Sequence, residues 1–424
     1  MTESFDILVV GAGPAGMAAA IRASENGKRV GLVDDNFTPG GQIWRGADSA
    51  SSATAASWYA RLESHSIKRL QGCRVFSQPA QGMLRAERNG DYLDLAYDKL
   101  ILATGARERF LPFPGWTLPN VLGAGALQAL VKSGLPIENK RVVIAGSGPL
   151  LLAVAAYLKT RGAQIIAICE QAPFTRLVRF ATSLVTHPEK VQEAINYRWR
   201  TRRTRFHTSC WPTKADGQGK LESVTLRKLS REWTVSCDYL ACGFHLVPNT
   251  ELAELLGCAT SSESVIVDEW QSTSVAGIYC AGEPTGVGGL ELSLIEGEIA
   301  GYSAAGETAK ARSLQRKREK LRLFAKRMAA AFALNPALNQ LPQNDTIVCR
   351  CEDVQFAAMA KHASWRAAKL QTRCGMGPCQ SRICGPAAEF LFHWKADSIR
   401  PPVFPASLSS LAASPAGREA QLTT

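Results

Sequence analysis

Apolar positions in this chain fall into short strand-length runs, each followed by a glycine-rich turn and a helix. Residues 5–10 (FDILVV) read as a buried strand, residues 17–23 (MAAAIRA) as the helix behind it, and residues 28–33 as the next strand. The same order returns at residue 140: a strand in KRVVIA, a turn, a helix, then a strand over 164–169. Residues 100–106 form a strand that exits into a small-residue turn, and 273–283 form another that leads to a helix over 291–302. Residues 205–260 alternate as strands and turns, 303–333 are rich in Ala, Lys, Arg and Glu and predict helix, and the chain loses periodicity after residue 400.

The first turn, Gly11-x-Gly13-x-x-Gly16, lies between a strand and a helix, which is the setting a dinucleotide-binding turn requires. Gly11 permits the turn, Gly13 lets backbone approach a pyrophosphate, and Gly16 brings helix and strand close. Pro14 and Ala15 lie in this turn among the expected cofactor-binding residues, and the N-terminus of the helix that follows faces the phosphates. Asp34 closes the second strand as the acceptor for ribose hydroxyls, with Asp35 as the alternative. The loop from Pro39 to Trp44 offers the amides of Gly41 and Gln42 to phosphate or flavin. The second turn keeps Gly146 and Gly148, with Glu170 as its strand-end acid. Leu151 replaces the third glycine there, so the helix should stand farther off and an NAD(P)H pyrophosphate should not sit normally. A vestigial site, or a second adenine nucleotide (ATP or NAD(P)) held in an altered way, are the readings left.

With 424 residues the chain exceeds one core, so several domains are expected. No run of eighteen apolar residues predicts a membrane helix, and the start lacks a basic leader, which points to the cytoplasm. Net charge is +12, concentrated in residues 197–205 and 310–327. No nucleic-acid-binding signature accompanies these stretches, so they are expected to be solvated or to meet an acidic partner, and nucleic acid is not an expected ligand.

Five of the twelve cysteines fall in two tight groups: Cys349 and Cys351, then Cys374, Cys379 and Cys384. Four converging thiolates can hold an iron–sulfur cluster, with glycines bending the loop around it; structural zinc is the competing use. The other seven cysteines read as small buried hydrophobes. Each of the six histidines reads as structural, and no residue declares itself a catalytic acid or base.

The glycine turns, together with Ala103-Thr104-Gly105 and Ala281-Gly282-Glu283, resemble the two-dinucleotide-binding-domain flavoproteins of the glutathione- and thioredoxin-reductase-like superfamily. That superfamily usually has Asp where Glu283 stands, and no redox C-x-x-C lies in the nucleotide domains, which disfavours disulfide reduction. Adding residues 39–44, 247–252 and the terminal cysteines, the chain looks like the α (A) subunit of octopine and nopaline oxidases and hydroxyproline dehydrogenases, and like the similar hydrogen cyanide synthase subunit. The resemblance extends to about residue 405. It implies an α/β fold with two Rossmann-like, glutathione-reductase-like domains and a small helical [2Fe–2S] domain of the bacterioferritin-associated-ferredoxin (BFD) type. It also implies FAD in this chain, a partner flavoprotein (β) subunit that oxidises the substrate, a small third subunit in some complexes, and electron delivery to an acceptor such as a quinone at the inner-membrane face. In that ferredoxin-type motif the position of Cys374 is not a cysteine, so the implied ligands are Cys349, Cys351, Cys379 and Cys384, with Cys374 as the alternative.

The expected division is 1–112 and 261–308 for the FAD-binding domain, 113–260 for the inserted second nucleotide domain, 309–344 for a helical connector, 345–392 for the cluster domain and 393–424 for an extended arm. The rival readings are a stand-alone NAD(P)H-dependent ferredoxin-type reductase, and a non-enzymatic redox sensor or scaffold.

Overall fold

The computed structural model describes residues 2–45, 53–184, 188–261, 264–395 and 399–413. The chain divides into two compact units, one made of residues 1–107, 248–325 and 398–424, the other of 108–247 and 326–397.

In the first unit the strand order is Ile67–Gln71, Val30–Asp34, Thr2–Val10, Asp91–Leu102, Met83–Arg88, Arg74–Ala80, with Ile278–Cys280 also paired to Asp91–Leu102. The pairings of Thr2–Val10 with Val30–Asp34 and with Asp91–Leu102 are parallel, as are those of the two outer strands. The 74–88 hairpin adds antiparallel strands at the far edge. Parallel strands are buried on both faces, which explains their unbroken apolar runs. The alanine-rich helix Pro14–Glu25 covers one face and packs on helix Leu290–Ala305. Their approach is set by small residues: a Cβ at Gly297 would lie 2.2 Å from the Ala15 carbonyl, and one at Gly301 2.4 Å from that of Ala19.

The second unit carries a five-stranded parallel sheet in the order Arg205–Thr208, Gln164–Glu170, Arg141–Ser147, Tyr239–Phe244, Val121–Gly123. A three-stranded antiparallel sheet over residues 210–236 packs beside it. Leu151 is buried against Val154, Ala155 and Ile144, and its side chain faces Gly243 of the neighbouring strand.

The cysteine-bearing segment of this unit is small: strands Ile347–Cys349 and Val354–Gln355, and helices Phe356–Ala360, Trp365–Thr372 and Cys384–Phe392. Its core is Val348, Val354, Met359, Trp365 and Ala388 packed around Cys349, Cys374 and Cys384. The Ser364 side chain caps the middle helix by accepting the Ala367 N–H.

Candidate functional site

In the first unit the glycine turn is built as its sequence demands. A Cβ at Gly16 would lie 1.7 Å from the Gly11 carbonyl, and one at Gly11 2.2 Å from that of Ala103. Gly13 differs: with φ −72° and ψ −178° it has a backbone any residue could adopt, and its Cβ would meet nothing closer than Gly41 at 3.9 Å. The open space over Gly13 is a cradle between the turn and the 39–44 loop, where a Cβ at Gly41 would come within 3.1 Å of the Gly13 Cα. That loop is tied down by the Gly40 N–H donating to the Ala12 carbonyl and by the Tyr59 hydroxyl donating to the Pro39 carbonyl, with Trp44 buried beneath. Gln42 stands exposed at its outer side.

Asp34 and Asp35, alternatives in sequence, separate clearly in space. Asp34 accepts the Ala12 N–H at 2.5 Å and that of Asn36 at 2.7 Å, at the foot of the turn. Asp35 is exposed and pairs with Arg74. Ala103, Thr104 and Gly105 lie beside the first glycine turn and are clamped by Asn249. Its amide donates to the Thr104 carbonyl at 2.8 Å, its N–H donates to the Gly105 carbonyl, and its carbonyl accepts the Thr104 hydroxyl at 2.7 Å.

The 282–289 turn is organised by two buried carboxylates. Glu283 Oε1 accepts the Gly289 N–H at 2.8 Å and that of Gly288 at 3.3 Å, at the start of helix Leu290–Ala305. Its Oε2 is buried without a partner among the described residues. Burial pushes this carboxyl above its usual range, against the amides that pull it down. Glu296, which the sequence reading missed, is fully buried and ties the turn to the following helix. It accepts from the Gly282 N–H at 3.0 Å, the Thr285 hydroxyl at 2.8 Å and Arg322 Nε at 2.8 Å, with Arg318 3.7 Å away. A buried acid on an otherwise apolar helix face is the signal that could have revealed it.

The second turn is built differently. Glu170 is 2% exposed, accepting the Gly148 N–H at 2.7 Å and the Ala172 N–H at 2.8 Å. Burial pushes its carboxyl up to about 7. Gly146 is packed so tightly that a Cβ would lie 2.0 Å from the Gly243 carbonyl.

In the cysteine segment, the sulfurs of Cys349, Cys374 and Cys384 lie within 4.8 Å of one another, all buried. Cys351 is exposed and Cys379 half-buried, and these two are hydrogen-bonded to each other. Cys374, the alternative in sequence, thus stands inside the group together with Cys349 and Cys384. Hydrogen bonds from Cys374 and Cys384, then from the Gly375 and Glu352 amides, pull the Cys349 thiol far down, while sharing that site pushes Cys374 and Cys384 up. A Cβ at Gly377 would lie 2.3 Å from that of Cys351, so the glycine loop can close over the sulfurs only without a side chain there.

Two sheets with parallel strands leading into glycine turns, one bearing a second turn held by buried carboxylates, define a protein with two dinucleotide-binding domains. The pyridine nucleotide-disulphide oxidoreductase family matches residues 5–310, and the chain belongs to it. It is 31% identical to hydrogen cyanide synthase subunit HcnB of Pseudomonas aeruginosa over 89% of this chain and 90% of that protein. It is also 31% identical to the A subunit of opine oxidase from Rhizobium meliloti, over 96% and 98% respectively. The structure of L-proline dehydrogenase from P. horikoshii shares the fold, with a TM-score of 0.70 at 16% identity, over 97% of this chain and 80% of that one. Thioredoxin reductase from T. acidophilum shares it over 74% of this chain, with a TM-score of 0.54.

The family implies FAD, and the first unit's residues fit it: a side-chain-free cradle at Gly13 and Gly41, an acid at the end of the second strand, and an unpartnered buried acceptor on Glu283. The cysteine group fits a thiolate-bound metal centre by its donor chemistry. No helix among the described residues is long and apolar enough to cross a membrane.

Proposed function

We propose that this chain is the FAD- and [2Fe–2S]-carrying electron-transfer subunit of a multi-subunit amino-acid or opine dehydrogenase, working in the cytoplasm. FAD supplies two-electron and the cluster one-electron chemistry. The chain's own residues hold and tune these groups. Gly11, Gly13, Gly16 and Gly41 shape the pyrophosphate cradle, Asp34 orients the turn and the ribose, and Glu283 Oε2 offers an acceptor on the flavin side. Cys349 and Cys384 anchor the cluster, joined by two of Cys351, Cys374 and Cys379. Substrate oxidation, on a secondary or primary amine carbon, belongs to a partner flavoprotein.

What carries this reading is the convergence of three buried thiols at the end of a dinucleotide-binding oxidoreductase. It is supported by the names of the relatives, which are components of an opine oxidase and of a hydrogen cyanide synthase. The test is iron, acid-labile sulfide, zinc and flavin content of the anaerobically purified chain, with its paramagnetic spectrum after dithionite. Zinc in place of iron, or a silent spectrum, would defeat the cluster. Full-rate oxidation of octopine, nopaline or hydroxyproline by the chain alone would defeat the division of labour.

A further inference from the structure

The second glycine turn lies at the carboxyl edge of a doubly wound sheet, where such folds take up dinucleotides. In this chain that edge is filled by its own backbone. Helix Thr308–Ala331 runs out into residues 332–335, and the Phe332 carbonyl accepts three donors there: the Ser147 hydroxyl at 2.8 Å, Gln171 Nε2 at 3.2 Å and His245 Nε2 at 2.6 Å. Those donors come from the ends of three adjacent strands, Arg141–Ser147, Gln164–Glu170 and Tyr239–Phe244. Gln171 also binds the next residues, donating to the Ala333 carbonyl at 3.3 Å and accepting the Asn335 N–H at 2.9 Å. The Phe332 ring is buried beside Phe180 and Ala172.

We infer that residues 332–335 occupy the place of a pyridine dinucleotide, so the second nucleotide domain does not take up NADH or NADPH and serves as the mount for the cysteine segment. Ser147 is the middle residue of the glycine turn, and Gln171 follows the strand-end acid. These positions adjoin the turn and the strand-end acid, at the edge where dinucleotide-binding domains hold the pyrophosphate and ribose. Here they face peptide carbonyls, which would repel a phosphate. The Gly148 amide is taken by Glu170, whose own carboxylate is too deeply buried to reach a ribose. The third glycine is absent, and Leu151 fills its space. The segment continues into Leu338 and Leu341, which are buried in this unit's core just before Cys349. Filling the crevice therefore anchors the chain that leads into the cysteines. Reducing equivalents must then reach this subunit from a donor other than NAD(P)H.

The full chain, flavin-loaded as purified, is titrated with NADH and with NADPH by equilibrium dialysis, and hydrogen exchange is followed in residues 332–341. The expected result is no saturable binding up to about 1 mM, no rapid flavin bleaching, and exchange unchanged by either dinucleotide. In a Ser147→Ala, Gln171→Ala double variant, exchange in 332–341 should rise about tenfold or more, reflecting lost local stability. Micromolar binding of either dinucleotide to the wild-type chain would overturn the inference. So would unchanged exchange in the double variant, because the contacts would then not be what holds the segment.

Discussion

Glu170 Oε2 accepts the Gly148 N–H at 2.7 Å, so the acid ending one strand ties down the glycine turn that ends its neighbour. In the first unit the same job falls one residue earlier in the turn, where Asp34 accepts from Ala12. The longer, more buried side chain of Glu170 is held with its carboxyl pushed up to about 7 by desolvation.

That burial makes the second unit's stability depend on pH. Unfolded, Glu170 titrates near 4.5; folded, it holds its proton up to about 7. The folded state binds the proton more tightly between those values, so the contribution is full below about 4.5 and lost as pH rises through 7. The difference is on the order of 3 kcal/mol. Glu170→Gln should gain on wild type in thermal midpoint between pH 5 and 8; parallel melting curves across that range would contradict it.

Gly13 and Gly16 should respond to alanine in opposite ways. At Gly16 the new methyl collides with the Gly11 carbonyl at 1.7 Å, so Gly16→Ala should lower the melting temperature of the protein stripped of flavin. At Gly13 the backbone is ordinary and the methyl enters open space, so Gly13→Ala should leave that melting temperature unchanged while flavin affinity drops about tenfold or more. Fluorescence titration with FAD separates the two.

Removing the Glu296 carboxylate leaves Arg322 and the buried Arg318 without their shared acceptor, and frees the Gly282 amide and the Thr285 hydroxyl. Breaking a buried pair from one side costs on the order of 3–5 kcal/mol. Glu296→Ala is expected to lower both the thermal midpoint and the flavin-to-protein ratio. Glu296→Gln, which keeps an acceptor, should fall between it and wild type.

Among the cysteines, Cys349→Ser and Cys384→Ser should each abolish iron binding, since both belong to the buried sulfur group and to the ligand set the family resemblance implies. Cys374→Ser should at least halve the iron content, because that sulfur is within 4.8 Å of both. Wild-type iron and an unaltered paramagnetic spectrum in Cys374→Ser would return this residue to a bystander role.

Much of the site was readable in the linear pattern. Strand, glycine turn, helix and acid follow one another within a few dozen residues, and each glycine's purpose is a local steric fact, so the two nucleotide folds and the paired cysteine groups announced themselves. Folding settled what depends on distant neighbours. Asp34 was chosen over Asp35 because only the former points at the turn, where it meets the Ala12 amide. Glu296 became a clamp because Arg322, a full helix away, was brought to it. Cys374 joined Cys349 because the loop between two short helices curls back over the sulfurs. The second crevice was filled by residues 332–335, which follow Ser147 by well over a hundred positions. Periodicity and turn chemistry report on neighbours in the chain; which carbonyl or sulfur lies opposite a given group is set by packing of the whole sheet.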